Sequence, residues 1–552
     1  MRTDRSEYDY IIIGAGSAGC VLAARLSEDP DTRVLLLEAG GKDSNSMIHM
    51  PAGVGALISG DKENWAYYTE PQEHLDGRRL FWPRGKVLGG SSSINGMIYI
   101  RGHARDYDLW QQMGLPGWSF ADVLPYFRRS EGNAHREDDF HGSAGPLGVT
   151  DPPETNVLFD AFVEAGRQAG YPVTDDFNGP QQEGVGPYQH TIKGGQRSST
   201  ATAFLKPAMA RANLTVITRA LTSRIVVEDG CATGVEFVRE GRRERVHASA
   251  EVLLSGGAVN SPQVLQLSGI GAGDDLRAHG IKVVADLPGV GQNLQDHLDC
   301  TVLFECSQPI TLHKMAANPA RMLLAGMQYT FFKSGVATSN GLEAGGFLKT
   351  RPELDLPDVQ IHFLAAMMRD HGRMKSDRHG FTVHVCQLRP ESRGYVGLRS
   401  ADPAVPALIQ PNYLEAQKDR QVLRHATRMA RNIIGQQAMD PYRGPEFWPG
   451  ERCQSDAEID GWIRDTAETI YHPVGTAKMG HDALAVVDER CRVHGIEGLR
   501  VIDASVMPTL VGGNTNAPTI MIAEKIADDL RGRVPPAPLA AEIAEDRAVS
   551  AA

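Results

Sequence analysis

The chain has 552 residues, 41% of them hydrophobic and 22% charged, with 56 basic side chains against 68 acidic ones for a formal charge of −12. That is too long for one compact core, so two or more domains are expected, and without a basic block nucleic acid is excluded as a partner. Seven scattered cysteines lack Cys-x-x-Cys spacing and read as reduced thiols without a disulfide framework or metal site, and no run of 18 apolar residues offers a membrane span.

Residues 9–13, Asp-Tyr-Ile-Ile-Ile, read as a short buried strand. The cofactor loop needs this strand and a cleavable leader ending there would remove it, so a cytoplasmic protein is expected, with loose contact to a membrane face left open. Gly14, Gly16 and Gly19 then form a Gly-x-Gly-x-x-Gly turn around Ser17 and Ala18. A helix over 17–26 and a strand over 34–37 complete a βαβ unit closed by Glu38. In such a unit the glycines allow the tight turn, the approach of backbone amides to a pyrophosphate and the packing of helix on strand. Glu38 lies where a carboxylate accepts the ribose hydroxyls of an adenosine, and it would repel a 2′-phosphate. A dinucleotide site is expected here.

Residues 40–90 are loop-rich, and a second glycine-serine loop follows from Gly85 to Gly96 before the apolar run Met97-Ile98-Tyr99-Ile100. A strand is expected over 251–255. Between 311 and 464, strand-like pieces at 359–364, 381–388 and 394–398 lack a βαβ rhythm and suggest a mostly antiparallel sheet, one wall of a pocket over the cofactor. The last helix is expected over 519–530, and the Pro/Ala-rich residues 532–552 as a disordered tail. The fold class is α/β, with an α+β substrate part: a Rossmann-like domain (1–155, 195–310, 465–531) interleaved with a substrate domain (156–194, 311–464).

Near the C-terminus lie Tyr471-His472-Pro473-Val474-Gly475-Thr476, Asp503-Ala504-Ser505 and Gly513-Asn514-Thr515-Asn516. A neutral imidazole can take a hydroxyl proton, and an amide can hold the oxygen that loses it. His472 as base and Asn514 as oxyanion donor, with Asn516 the competing amide, suggest a dehydrogenase. His297, His362 and His384 read as structural.

Residues 85–108 and the segment from Gly257 to Gly271 are similar to the two long signatures of the glucose–methanol–choline (GMC) oxidoreductases, and the resemblance covers residues 8 to about 531. It implies FAD, with Gly89, Ser91, Asn95, Gly96, Met97 and Ile98 around the flavin, and Asp503, Ala504, Asn514 and Thr515 near it. Some relatives attach FAD through a histidine just before the asparagine; Ile94 stands there, so non-covalent FAD is expected. The resemblance also makes His472 the base and Asn514 its partner, and it brings Glu343 forward as a substrate-lining acid. The segments 48–53, 80–86, 176–179 and 370–373 look more like bacterial alkanol dehydrogenases, which pass electrons to a quinone or another carrier. An uncharged primary alcohol is therefore the expected substrate. Choline dehydrogenase, an oxidase using oxygen and a hydroxynitrile lyase are the alternatives.

Overall fold

A computed structural model describes residues 7–153, 156–374 and 376–541. Its first sheet grows from the expected βαβ unit. Strand Glu7–Ile13 pairs in parallel with Val34–Glu38, joined by the helix Ser17–Leu26, and Leu214–Thr218 extends the sheet beyond it. On the other side lies Arg242–Leu254, whose C-terminal half runs parallel to the first strand and to Leu499–Val501. Its N-terminal half instead pairs antiparallel with Cys231–Arg239, which pairs with Ala220–Glu228. Continuous apolar runs such as Val34-Leu-Leu-Leu are buried because helices cover the sheet.

The second sheet is antiparallel, in the order Arg443–Trp448, Leu298–Cys306, Gly380–Gln387, Val359–Leu364, Ala344–Leu348, Gly184–Pro187. Its strands alternate. Val359, Ile361 and Phe363 join Phe381, Val383 and Val385 in an apolar core, against the helices Val157–Gln168 and Gln417–Ile434. The intervening Gln360, His362, Thr382 and His384 therefore point to the opposite face, towards the first domain.

Three boundaries differ from the sequence reading. Leu298–Cys306 lies on the dinucleotide side of the expected break at 310, yet it is a central strand of the second sheet, and Glu468–Thr469 pairs with it. The expected strand at 394–398 appears as Tyr395–Gly397, paired with Leu408–Gln410 in a separate two-stranded ribbon. The chain beyond Arg533 does not leave the surface at once: the Leu539 amide donates to the Ala121 carbonyl at 2.9 Å, and Leu539 packs on the core. Residues 542–552 of the expected tail lie outside the described residues.

Candidate active site

One cavity runs between the two sheets, lined at one end by Gly14, Gly16, Ser17, Ala18 and Glu38 and at the other by His362, His384, Glu468 and His472. Gly16 opens onto it, for a Cβ there would meet nothing within 4 Å, whereas a Cβ on Gly19 would stand 1.9 Å from the Gly14 carbonyl. The two glycine loops touch: a Cβ on Gly90 would lie 2.6 Å from Gly16 Cα. Glu38 accepts from the Ala15 and Gly40 amides at 2.8 and 2.7 Å, and burial pushes its carboxyl up to about 7. Each of its oxygens retains a lone pair for a hydroxyl donor.

Ser91, Ile94, Asn95, Gly96, Met97 and Ile98 line the middle of the cavity with Asp503, Ala504, Asn514, Thr515 and Asn516. Gly89 stands behind them, at φ +89°. Asp503 is a clamp between distant segments. It accepts from the Gly257 amide at 2.7 Å, the Ser261 hydroxyl at 2.5 Å and the Ser505 amide at 2.8 Å. The cradle of amides at the two glycine loops and the acid at its far end fit a flavin dinucleotide.

At the other end His472 and Asn514 meet, with Asn514 Nδ2 at 3.1 Å from His472 Nε2. Asn516 is occupied elsewhere, accepting from the Ser17 hydroxyl at 2.7 Å. The loop that carries His472 is tied down from several sides. Its amide donates to Asp296 at 2.8 Å, Arg84 holds the Tyr471 carbonyl at 2.8 Å, and Val474 pairs with Gln295.

His297, read from sequence as structural, touches the base itself. Its Nδ1 lies 3.0 Å from His472 Nδ1, and its Nε2 lies 3.0 Å from the Leu388 carbonyl. A carbonyl only accepts, so Nε2 of His297 carries the proton and its Nδ1 is a bare acceptor. His472 must then donate from Nδ1, which leaves its Nε2 lone pair facing Asn514 and the cavity. Gln360 Nε2 donates to Asn514 Oδ1 at 3.0 Å, which aims the amide N–H groups at the imidazole. Burial first, then repulsion from His297, His362 and Arg84, holds His472 well below the ordinary histidine value. Burial likewise lowers His297 to about 3.

Beyond the base the cavity is lined by acid. Asp299 Oδ2 binds His384 Nδ1 at 2.6 Å, while among the described residues Asp299 Oδ1, His384 Nε2 and His362 Nδ1 are buried without a partner. Burial, then repulsion from Asp370 and Asp299, raises Glu468 to about 7. Asp370, His371 and Glu468 bring ligand atoms within 4.8 Å of one another, but Nδ1 of His371 is engaged by the Tyr471 hydroxyl at 2.5 Å. Glu343, brought forward as a substrate-lining acid, lies in the turn before the strand Ala344–Leu348. It is buried, accepts from the Ser339 hydroxyl and is not among the residues lining the cavity.

The sequence pattern of the GMC oxidoreductases matches residues 8–299 and 390–523. The chain is a GMC oxidoreductase. Human mitochondrial choline dehydrogenase is 50% identical over 538 residues, covering 96% of this chain and 90% of the human protein. An oxygen-dependent choline dehydrogenase of Sinorhizobium fredii is 49% identical, covering 96% of each chain. Among solved structures, pyridoxine 4-oxidase from Mesorbium loti superposes with a TM-score of 0.87 at 32% identity, covering 96% of this chain and all of the other. A formate oxidase does so at 0.91 and 28% identity, covering 96% and 99%. This GMC oxidoreductase is therefore an FAD enzyme. Among its described residues no helix is long and apolar enough to cross a membrane.

Proposed function

We propose that this enzyme oxidises a primary alcohol carrying a cationic head, choline or a close analogue, to the aldehyde. The observation that carries the chemistry is the chain of contacts from the Leu388 carbonyl through His297 to His472 Nδ1: it commits Nδ1–H to His297 and leaves Nε2 a neutral acceptor at the cavity surface. It takes the hydroxyl proton, Asn514 donates to the oxygen as it becomes an alkoxide, and buried surroundings keep competing water away. FAD, when bound between the glycine loops, supplies the hydride acceptor. The electrons pass onward to a quinone or another carrier.

Two observations move the substrate from the uncharged alkanol expected from local sequence to a cation. Relatives at about 50% identity over nearly the whole chain are choline dehydrogenases. The wall beyond His472 also carries Asp299 and Glu468, two carboxylates that an ammonium head would stabilise in their charged form. Asp299, which lines that region, keeps its Oδ1 buried without a hydrogen-bond partner among the described residues. A panel of alcohols mixed anaerobically with the holoenzyme tests this. Choline should bleach the flavin band far faster than butanol or benzyl alcohol; the reverse order would restore the alkanol reading, and no bleaching by any alcohol would favour lyase chemistry.

A further inference from the structure

The helix Pro319–Phe332 is built against the usual rule, because its apolar side chains face outward. Phe331 and Phe332 are 75% and 76% exposed, Leu323 64%, Leu324 61%, Met322 54% and Met327 41%. Leu323, Met327 and Phe331 recur every fourth residue and share one face with Leu324. The opposite side is the one fastened to the protein: Tyr329 is buried and its hydroxyl donates to the His49 carbonyl at 2.8 Å. The apolar stripe is therefore the helix's free surface, and isolated exposed residues do not explain it.

Charge says what covers it. In a chain of net charge −12, the stretch between Glu305 and Glu343 contains no acidic residue, only Lys314, Arg321 and Lys333. All three are exposed. A two-fold contact with a second copy would set these basic residues against themselves with no acid in the same stretch to answer them. An anionic surface with an apolar interior answers both features. We propose that this helix lies in the headgroup boundary of an anionic lipid bilayer, with Leu323, Leu324, Met327 and Phe331 entering the acyl region and Arg321 and Lys333 meeting lipid phosphates. At 14 residues it spans about 21 Å, too short to cross. It is an anchor on one leaflet. The short helix Val54–Ser59, which follows directly after the His49 turn, lends Val54, Gly55 and Ile58 to the cavity wall, so docking sets the bilayer beside that wall.

The test is flotation of the holoenzyme with vesicles of phosphatidylcholine, with and without phosphatidylglycerol. Binding to the phosphatidylglycerol vesicles, weakened by salt, is expected. Leu323→Asn combined with Phe331→Asn should weaken partitioning by at least about tenfold, while turnover of a water-soluble alcohol with a dye acceptor stays at the wild-type rate. Arg321→Gln with Lys333→Gln should remove the preference for the anionic vesicles. Failure of the wild type to float with either vesicle would overturn the proposal, as would unchanged flotation of the Leu323/Phe331 variant. A dimer in sedimentation that this variant splits, with no flotation by either protein, would assign the face to a second copy instead.

Discussion

Protons along the line Asn514, His472, His297, Leu388 are all directed by one group that has no choice, the backbone carbonyl at its end. That argument separates two substitutions. His472→Ala should leave FAD bound, because the glycine loops do not depend on it, and slow flavin reduction by about 10²–10⁴-fold; stopped-flow absorbance reads both. His297→Leu removes the acceptor from His472 Nδ1 and frees the ring to turn. It should lower kcat by up to about 100-fold with KM nearly unchanged, and an equal loss in both constants would make His297 a packing residue only. Glu468 gives a pH signature. With its carboxyl raised to about 7, it is neutral below that pH and an anion above it. KM for a cationic alcohol should fall as pH rises through 7, a neutral alcohol should show no such limb, and Glu468→Gln should flatten the limb. His472 contributes none near 6.5, since burial keeps it neutral well below that. The charges facing Glu468 are Asp370, Asp299 and Arg78, with the neutral His371 beside them, so the Asp299–His384 pair must be held constant in the comparison.

Strand alternation explains how the polar wall arises, and it was present in the sequence. In Val-Gln-Ile-His-Phe-Leu and Gly-Phe-Thr-Val-His-Val-Cys-Gln the polar residues occupy every second position of otherwise apolar strands. One face of each must therefore be polar, and a buried polar face needs partners. Reading His362 and His384 singly as structural missed this pattern, and Asp299, on the neighbouring strand Leu298–Cys306, meets His384 on that same polar face. What the alternation cannot supply is register. The pairing of His362 with His384, and of Leu303 with Thr382, follows from the sheet alone. The βαβ unit was legible down to its helix ends, because each glycine is fixed by local sterics. Gly19→Ala should place its Cβ against the Gly14 carbonyl and cost about 1–3 kcal/mol, and calorimetry together with the flavin-to-protein ratio would show lower stability and weaker FAD retention.

The molecule closes by joining its two ends. Glu524, on the last helix, is fully buried and receives Arg25 from the first helix at 2.8 Å and Arg129 at 2.7 Å. Asn516 at the start of that helix accepts from Ser17 in the glycine loop. Glu524→Ala should cost about 1.5–3 kcal/mol, read as a lowered Tm in the holoenzyme, and a Tm within a degree of wild type would show that the ends are held by packing instead. Sequence by itself determined the nucleotide-binding unit, because it is written in contiguous residues whose local geometry is constrained by glycine turns, and through its resemblance to the GMC oxidoreductases it implied the flavin and nominated His472 as the base. Tertiary structure alone brought His297 against His472, put Asp299 and Glu468 but not Glu343 on the cavity wall, and placed Leu298–Cys306 in the second sheet. Those relations join segments up to 176 residues apart, as in the Asp296–His472 bond, and no local preference of a chain encodes which distant strand it will lie beside.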